Sequence, residues 1–258
     1  MATGSDNIVI DLYLPTSWQT MSDKELRLVF RLLANGMDYP DIMVICLLRW
    51  NNIKVVGRSN NKGEFWLKCK KHLFRAKAKS IHNLSQPLAF IKNMPPVPVR
   101  YEAINRHKPL TADFDGVPFN TYIVCSNIYQ GYLHTENMEL LQQLVRILYD
   151  SEKIKPAADE CIMAFYWFAA LKNMMANKFP NFYQKIDNDD GENLMGGKSL
   201  HQRLTDEVNA QIRALTGGDV TKEDKVLQMD TIRALTELDA KAYEIAEMKR
   251  REKNTHIH

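Results

Sequence analysis

The sequence predicts a mainly α-helical protein: a small α+β N-terminal module with a hairpin, a central helical domain and a C-terminal helical hairpin. Three observations carry that prediction. Apolar residues recur at three- and four-residue steps in most segments after residue 20, the period of a helix with one buried face. Residues 53–70 instead hold two short runs around a turn-rich loop, which is hairpin spacing. MPPVPVR at 94–100 and the glycine-rich DNDDGENLMGGKS at 187–199 interrupt the pattern. They divide the chain into a basic α+β module (1–100), an aromatic-rich helical domain (101–186), a linker (187–199), and a helical hairpin with its tail (200–258).

Taken in order, an extended start from Ile8 to Leu14 leads through Pro15 and Trp18 into a helix. Ser22 and Glu25 form a capping box there, in which each side chain serves a backbone N–H that has no helical partner. Leu26, Val29, Phe30 and Leu33 share one face, and Asn35-Gly36 stops the helix. Asp38 and Pro40 start a second helix running to Trp50. Ile53–Val56 and Glu64–Lys70 are the hairpin strands, and His72–Leu84 is expected to be a short basic helix. Prolines keep 94–100 extended. In the centre, Tyr122, Cys125, Tyr129 and Tyr132 make a helical stripe. Thr135 is the expected cap of the next helix, with Met138, Leu141, Leu144, Val145 and Leu148 on its apolar face. Cys161–Leu171 is apolar on every side, so its helix should be buried. Beyond the linker, Leu200, Leu204, Val208, Ile212 and Leu215 line one helix ending at Gly217-Gly218. Ile232, Leu235, Leu238, Ala242, Ile245 and Met248 line another, with Thr221 as its expected cap. The final KRREKNTHIH is expected to fray.

Hydrophobic residues at 45% and charged residues at 25% are ordinary for a globular chain. The longest apolar run, Cys161–Leu171, falls well short of the roughly 18 residues that suggest a membrane span. The start, MATGSDNIVIDLYLP, has no basic region and carries two aspartates, which predicts a cytoplasmic protein. Cys46, Cys69, Cys125 and Cys161 are widely spaced with no CxxC pair, three of them in helical, apolar contexts, as expected for reduced, mostly buried thiols.

Reactions at neutral pH need convergent titratable or metal-binding groups, and no such set is evident; no enzyme, cofactor or metal is expected. GENLMGGKS at 191–199 is not a P-loop: the residue five before Gly197 is Glu192, and acidic residues precede it where a strand is required. DNDDG at 187–191 fails as a calcium loop, because counting from Asp187 the fifth position is Gly191 and the twelfth Lys198. Asp113 and Asp115 fit a turn before a helix. His256 and His258 fit a free tail.

Charge is unevenly spread. Residues 1–110 carry 17 Lys/Arg and 8 Asp/Glu, net +9, whereas residues 111–258 carry 17 and 23, net −6. Residues 54–79 hold nine cations against Glu64 alone, with Phe65, Trp66 and Phe74 interleaved. Two helices before a hairpin would make a winged helix-turn-helix-like module, in which Lys68, Lys70, Lys71, Arg75, Lys77 and Lys79 meet phosphates. The plainer alternative is a solvated basic face.

The strings PTSWQTMSDKELRLVFRLLA, PPVPVR, YQGYL, KFPNFY after WFAALK, and ALTGGDVTKEDKVLQMD followed by ALTELDAKAYE resemble proteins of prophage tail-gene clusters, and through them phage tail-assembly chaperones. That resemblance spans most of the chain and brings no catalytic residues. It implies a non-enzymatic tail-morphogenesis protein, a chaperone or scaffold for the tape-measure or tail-tube protein. Met- and aromatic-rich surfaces suit such clients, because methionine repacks easily and aromatics give large contact area. Exposed members of Tyr129, Tyr132, Trp167, Met174 and Phe179 would then bind the partner. The same stripe would equally serve as the core of a helical domain, and exposure separates the two readings.

Overall fold

The computed structural model describes residues 9–183 and 199–255. It is mainly helical with one small antiparallel sheet. The chain divides into two compact units, Met1–Pro95 and Pro96–His258.

In the N-terminal unit a short turn at Trp18–Thr20 precedes α1 (Asp23–Ala34) and α2 (Tyr39–Trp50). Glu25 caps α1: its carboxylate accepts the Ser22 backbone N–H at 2.7 Å and the Ser22 hydroxyl at 2.8 Å. Leu26, Val29 and Phe30 of α1 and Ile42, Met43, Cys46 and Leu47 of α2 are buried. Trp18 completes this core, stacked on Phe30 with its Nε1–H donating to the Asn93 carbonyl at 3.0 Å.

Strands β1 (Ile53–Arg58), β2 (Glu64–Cys69) and β3 (His72–Lys77) form an antiparallel sheet in that order. β3 corrects the expectation of a helix from His72. Cys69 pairs with His72 across a two-residue turn whose Lys70 has φ +53°. Pairing through 64–69 then satisfies backbone groups that β2 would otherwise leave open. Only α3 (Ala78–Ser85) is helical in this stretch, followed by a 3₁₀ segment, Gln86–Lys92. Ile81, Leu88 and Ile91 from these two join the core.

The second unit begins with an irregular segment that buries Tyr101, Ile104, Phe114 and Val117. Helices α4 (Phe119–Thr135), α5 (Met138–Leu148) and α6 (Ala158–Lys178) follow. Then come α7 (Leu200–Thr216), α8 (Glu223–Leu227) and α9 (Thr231–Thr255). Trp167 is fully buried; its Nε1–H donates to the Ala112 carbonyl at 2.9 Å, and Arg100 lies over its ring at 5.5 Å. Phe114, Tyr122 and Phe168 form an aromatic cluster with centroids about 6 Å apart, near the upper range for favourable ring pairs.

Two caps differ from expectation. Thr135 ends α4, where its hydroxyl donates to the Gly131 carbonyl; Asn137 caps α5 by accepting the Glu139 N–H at 3.0 Å. Thr221 lies in a 3₁₀ turn capped by Asp219, and α9 starts ten residues later, where Asp230 accepts the Arg233 N–H at 2.9 Å. Both times a nearby Asn or Asp outcompetes threonine, in keeping with their cap preference. The helix break at Gly217 is as expected, with φ +66°. Asp230 also accepts the Gly116 N–H at 2.6 Å, and Thr231 bonds the Val117 carbonyl. The start of α9 is thereby tied to the segment that launches α4.

Candidate functional site

Alternation along the strands sorts the basic block into two faces. Phe65, Leu67 and Cys69 of β2 share a face with Phe74 and Ala76 of β3, and Leu67 and Cys69 are buried. The opposite face is open. Lys54, Lys68 and Leu73 lie side by side across it, then Gly57, Trp66 and Arg75, and Glu64 stands beside Lys77. Lys54, Lys68, Leu73, Arg75 and Lys77 are exposed and Trp66 is half-buried. Of the three interleaved aromatics, only Trp66 belongs to this outer face.

The Arg75 guanidinium lies 5.4 Å from the Trp66 ring centroid, a cation–π contact that fixes both side chains. Glu64, the one acid on the face, is engaged at its edge: its carboxylate accepts from the Asn61 amide at 3.0 Å and from the Ser59 hydroxyl. The register shifts between Val55 and Gly57, a bulge that sets a glycine beside Trp66. An added Cβ at Gly57 would meet nothing within 4 Å. Lys70 and Lys71 sit exposed in the β2–β3 turn, and Lys79 is exposed on α3. By contrast α2 exposes Pro40, Asp41 and Arg49. Exposed cations are thus denser on the strands and their turn than on α2.

In the second unit, Trp167, Tyr129 and Phe179 are buried, whereas Tyr132 and Met174 are half-buried. Tyr129 stacks on Phe165 at 5.4 Å and Tyr132 meets the same ring edge-on at 5.5 Å. Most of the aromatic centre is thus committed to the core. The described residues also leave an accessible cleft of about 400 Å³ between α4, α6 and α7, with Ile123, Leu133, Phe182, Leu200, Leu204 and Val208 as its apolar lining. Lys172 stands in it, bonded to the Ser126 hydroxyl at 3.2 Å and lying over the Tyr122 and Tyr183 rings. Those two phenols are hydrogen-bonded to each other, and burial raises the pKa of both. Sequence reasoning missed this cleft, because its lining comes mostly from α4, α6 and α7 and meets only in the fold.

Among the described residues no three His, Cys, Asp or Glu side chains cluster as metal ligands would. Asp113 and Asp115 form a turn, the Asp113 carboxylate accepting the Asp115 N–H at 3.3 Å. The four cysteines are buried and unpaired, and burial pushes Cys46 and Cys125 up to about 12 and Cys161 to about 11. Thiols held neutral in this way are poor nucleophiles. Residues 187–198 of the two glycine-rich motifs, together with His256 and His258, lie outside the described residues. Among the described residues no helix is long and apolar enough to cross a membrane. No protein-family model matches the chain, and neither do any curated protein or solved structure.

Proposed function

We propose that the chain is a non-enzymatic binding protein whose N-terminal unit holds nucleic acid on the outer face of its sheet. The observation that carries the reading is the excess of cations on that face: Lys54, Lys68, Arg75 and Lys77 are all exposed on it around Trp66, against Glu64 as its one acid. Phosphates neutralised there release counterions, so binding should weaken steeply as salt rises. The test is fluorescence anisotropy with labelled oligonucleotides across a salt series. Replacing Lys54, Lys68, Arg75 and Lys77 with alanine should flatten the log–log salt slope by about 3, at 0.7–0.9 per lost phosphate contact. Absence of binding at low salt would leave the face as a solvated surface.

A second reading follows the resemblance to tail-assembly chaperones. Leu200, Leu204, Val208 and Ile212 of α7 are all half-buried and none is fully covered. Three of these four line the cleft. An apolar helical segment, such as part of a tape-measure protein, would complete their burial by laying its own apolar face along α7.

A further inference from the structure

We infer that the outer face of the sheet takes single-stranded nucleic acid, with one base stacked at the Trp66–Arg75 pair. The inference rests on the nucleic-acid reading of that face and names its substrate class. A duplex is read by an element that enters a groove, whereas its base faces are hidden in the stack. Trp66 is set half-buried into a sheet surface, so its ring reaches only a base that is already unstacked. Aromatic side chains and guanidinium planes are the platforms on which splayed bases stack. Here one of each lies in contact, directly across the β2–β3 pairing.

The surroundings of the pair fit the same occupant. Gly57, across β1 from Trp66, contributes no side chain, and the space where its Cβ would stand is open. Lys54 and Lys68 lie to one side of that row and Lys77 to the other. A phosphate backbone crossing the face would meet cations both before and after the stacked base. Leu73, 55% exposed on the same face, adds an apolar contact that a sugar or base can cover but a hydrated duplex backbone would not. Six-residue strands extend about 20 Å, enough to track several nucleotides.

The experiment compares the full chain and three variants on a labelled oligothymidine of about 20 nucleotides and on a duplex of equal length, within the reach of such sites. The wild-type protein should bind the single strand at least about tenfold tighter than the duplex at equal salt. Trp66→Ala should weaken the single-strand complex about 5- to 150-fold, the range of one lost base stack, without changing its salt slope. Gly57→Val, which suits a strand and alters no charge, should fill the open space and weaken the same complex while leaving the melting temperature intact. Trp66→Phe should recover part of the loss. Equal affinity for both nucleic acids, or unchanged single-strand affinity in both Trp66→Ala and Gly57→Val, would overturn the inference while the four-cation variant still reports on the face. No binding to either nucleic acid by the wild-type chain would overturn both.

Discussion

Phe114 holds φ +61° with its side chain fully buried, a backbone region that bulky residues occupy only under constraint. Its ring meets Tyr122 and Phe168, and that packing holds the backbone in place. Truncation to alanine should cost about 3–5 kcal/mol. Glycine removes the same ring but relieves the left-handed strain, so Phe114→Gly should be about 1 kcal/mol less destabilising than Phe114→Ala in urea unfolding. A second consequence concerns alkali. Burial raises Cys46, Cys125 and Cys161 to about 11–12 and also raises Tyr122, Tyr129 and Tyr183. A group whose folded pKa is raised contributes stability fully below its unfolded value and loses it as pH climbs toward the folded one. The melting temperature should therefore hold to about pH 8 and fall between about pH 9 and 12. Ellman's reagent at pH 8 should find no reactive thiol until denaturant is added. Burial of Cys46, Cys125 and Cys161 was legible from their apolar, helical surroundings, whereas Cys69, flanked by Lys68 and Lys70, is buried only through its facing in the sheet. The strain at Phe114 was not, because a positive φ at a non-glycine residue leaves no mark in composition.

At the level of elements, helices with a strong apolar stripe were legible and their boundaries less so. α1 starts at its Ser22–Glu25 box and α7 stops at Gly217 because the local chemistry at both places has one good solution. The start of α5 was misplaced because Thr135 and Asn137 stand close together, and that of α9 because Thr221 belongs to a separate 3₁₀ turn capped by Asp219. Only tertiary structure reveals that Asp230 also serves the Gly116 N–H. That double role makes a specific expectation. Asp230→Ala removes an α9 cap and a charged acceptor from the Gly116 loop, and should cost about 2–4 kcal/mol, more than an ordinary cap. Asp219→Ala, which loses only bonds within its own exposed turn, should cost clearly less than Asp230→Ala. Equal losses for the two in thermal melts would show that the Gly116 tie contributes nothing. β3 escaped notice for a related reason. HLFRAK alternates Leu73, Arg75 and Lys77 against His72, Phe74 and Ala76, but six residues of period two beside a helical pattern read as its continuation.

Across the whole molecule, the helical class was legible because periodicity survives in any packing, whereas function depends on which faces stay open. A stripe of tyrosines, methionines and tryptophan looks the same whether it forms a core or grips a partner, and the basic block has no facing until its register is known. Trp167 and Leu204 now separate the two roles. Trp167 is fully buried among Tyr149, Arg100 and the Ala112 carbonyl. Trp167→Ala should lower stability by about 3–5 kcal/mol whatever the chain binds. Leu204 lines the cleft from a half-buried position on α7. If the cleft holds an apolar helix, Leu204→Asp should abolish capture of a co-expressed tape-measure protein while the chain keeps most of its thermal stability. Capture by the wild-type chain should also persist at salt concentrations high enough to weaken contacts with phosphates, because apolar burial releases no counterions. A wild-type chain that neither co-purifies with that protein nor raises its solubility would remove the client reading and leave the nucleic-acid proposal to stand or fall on its own salt series.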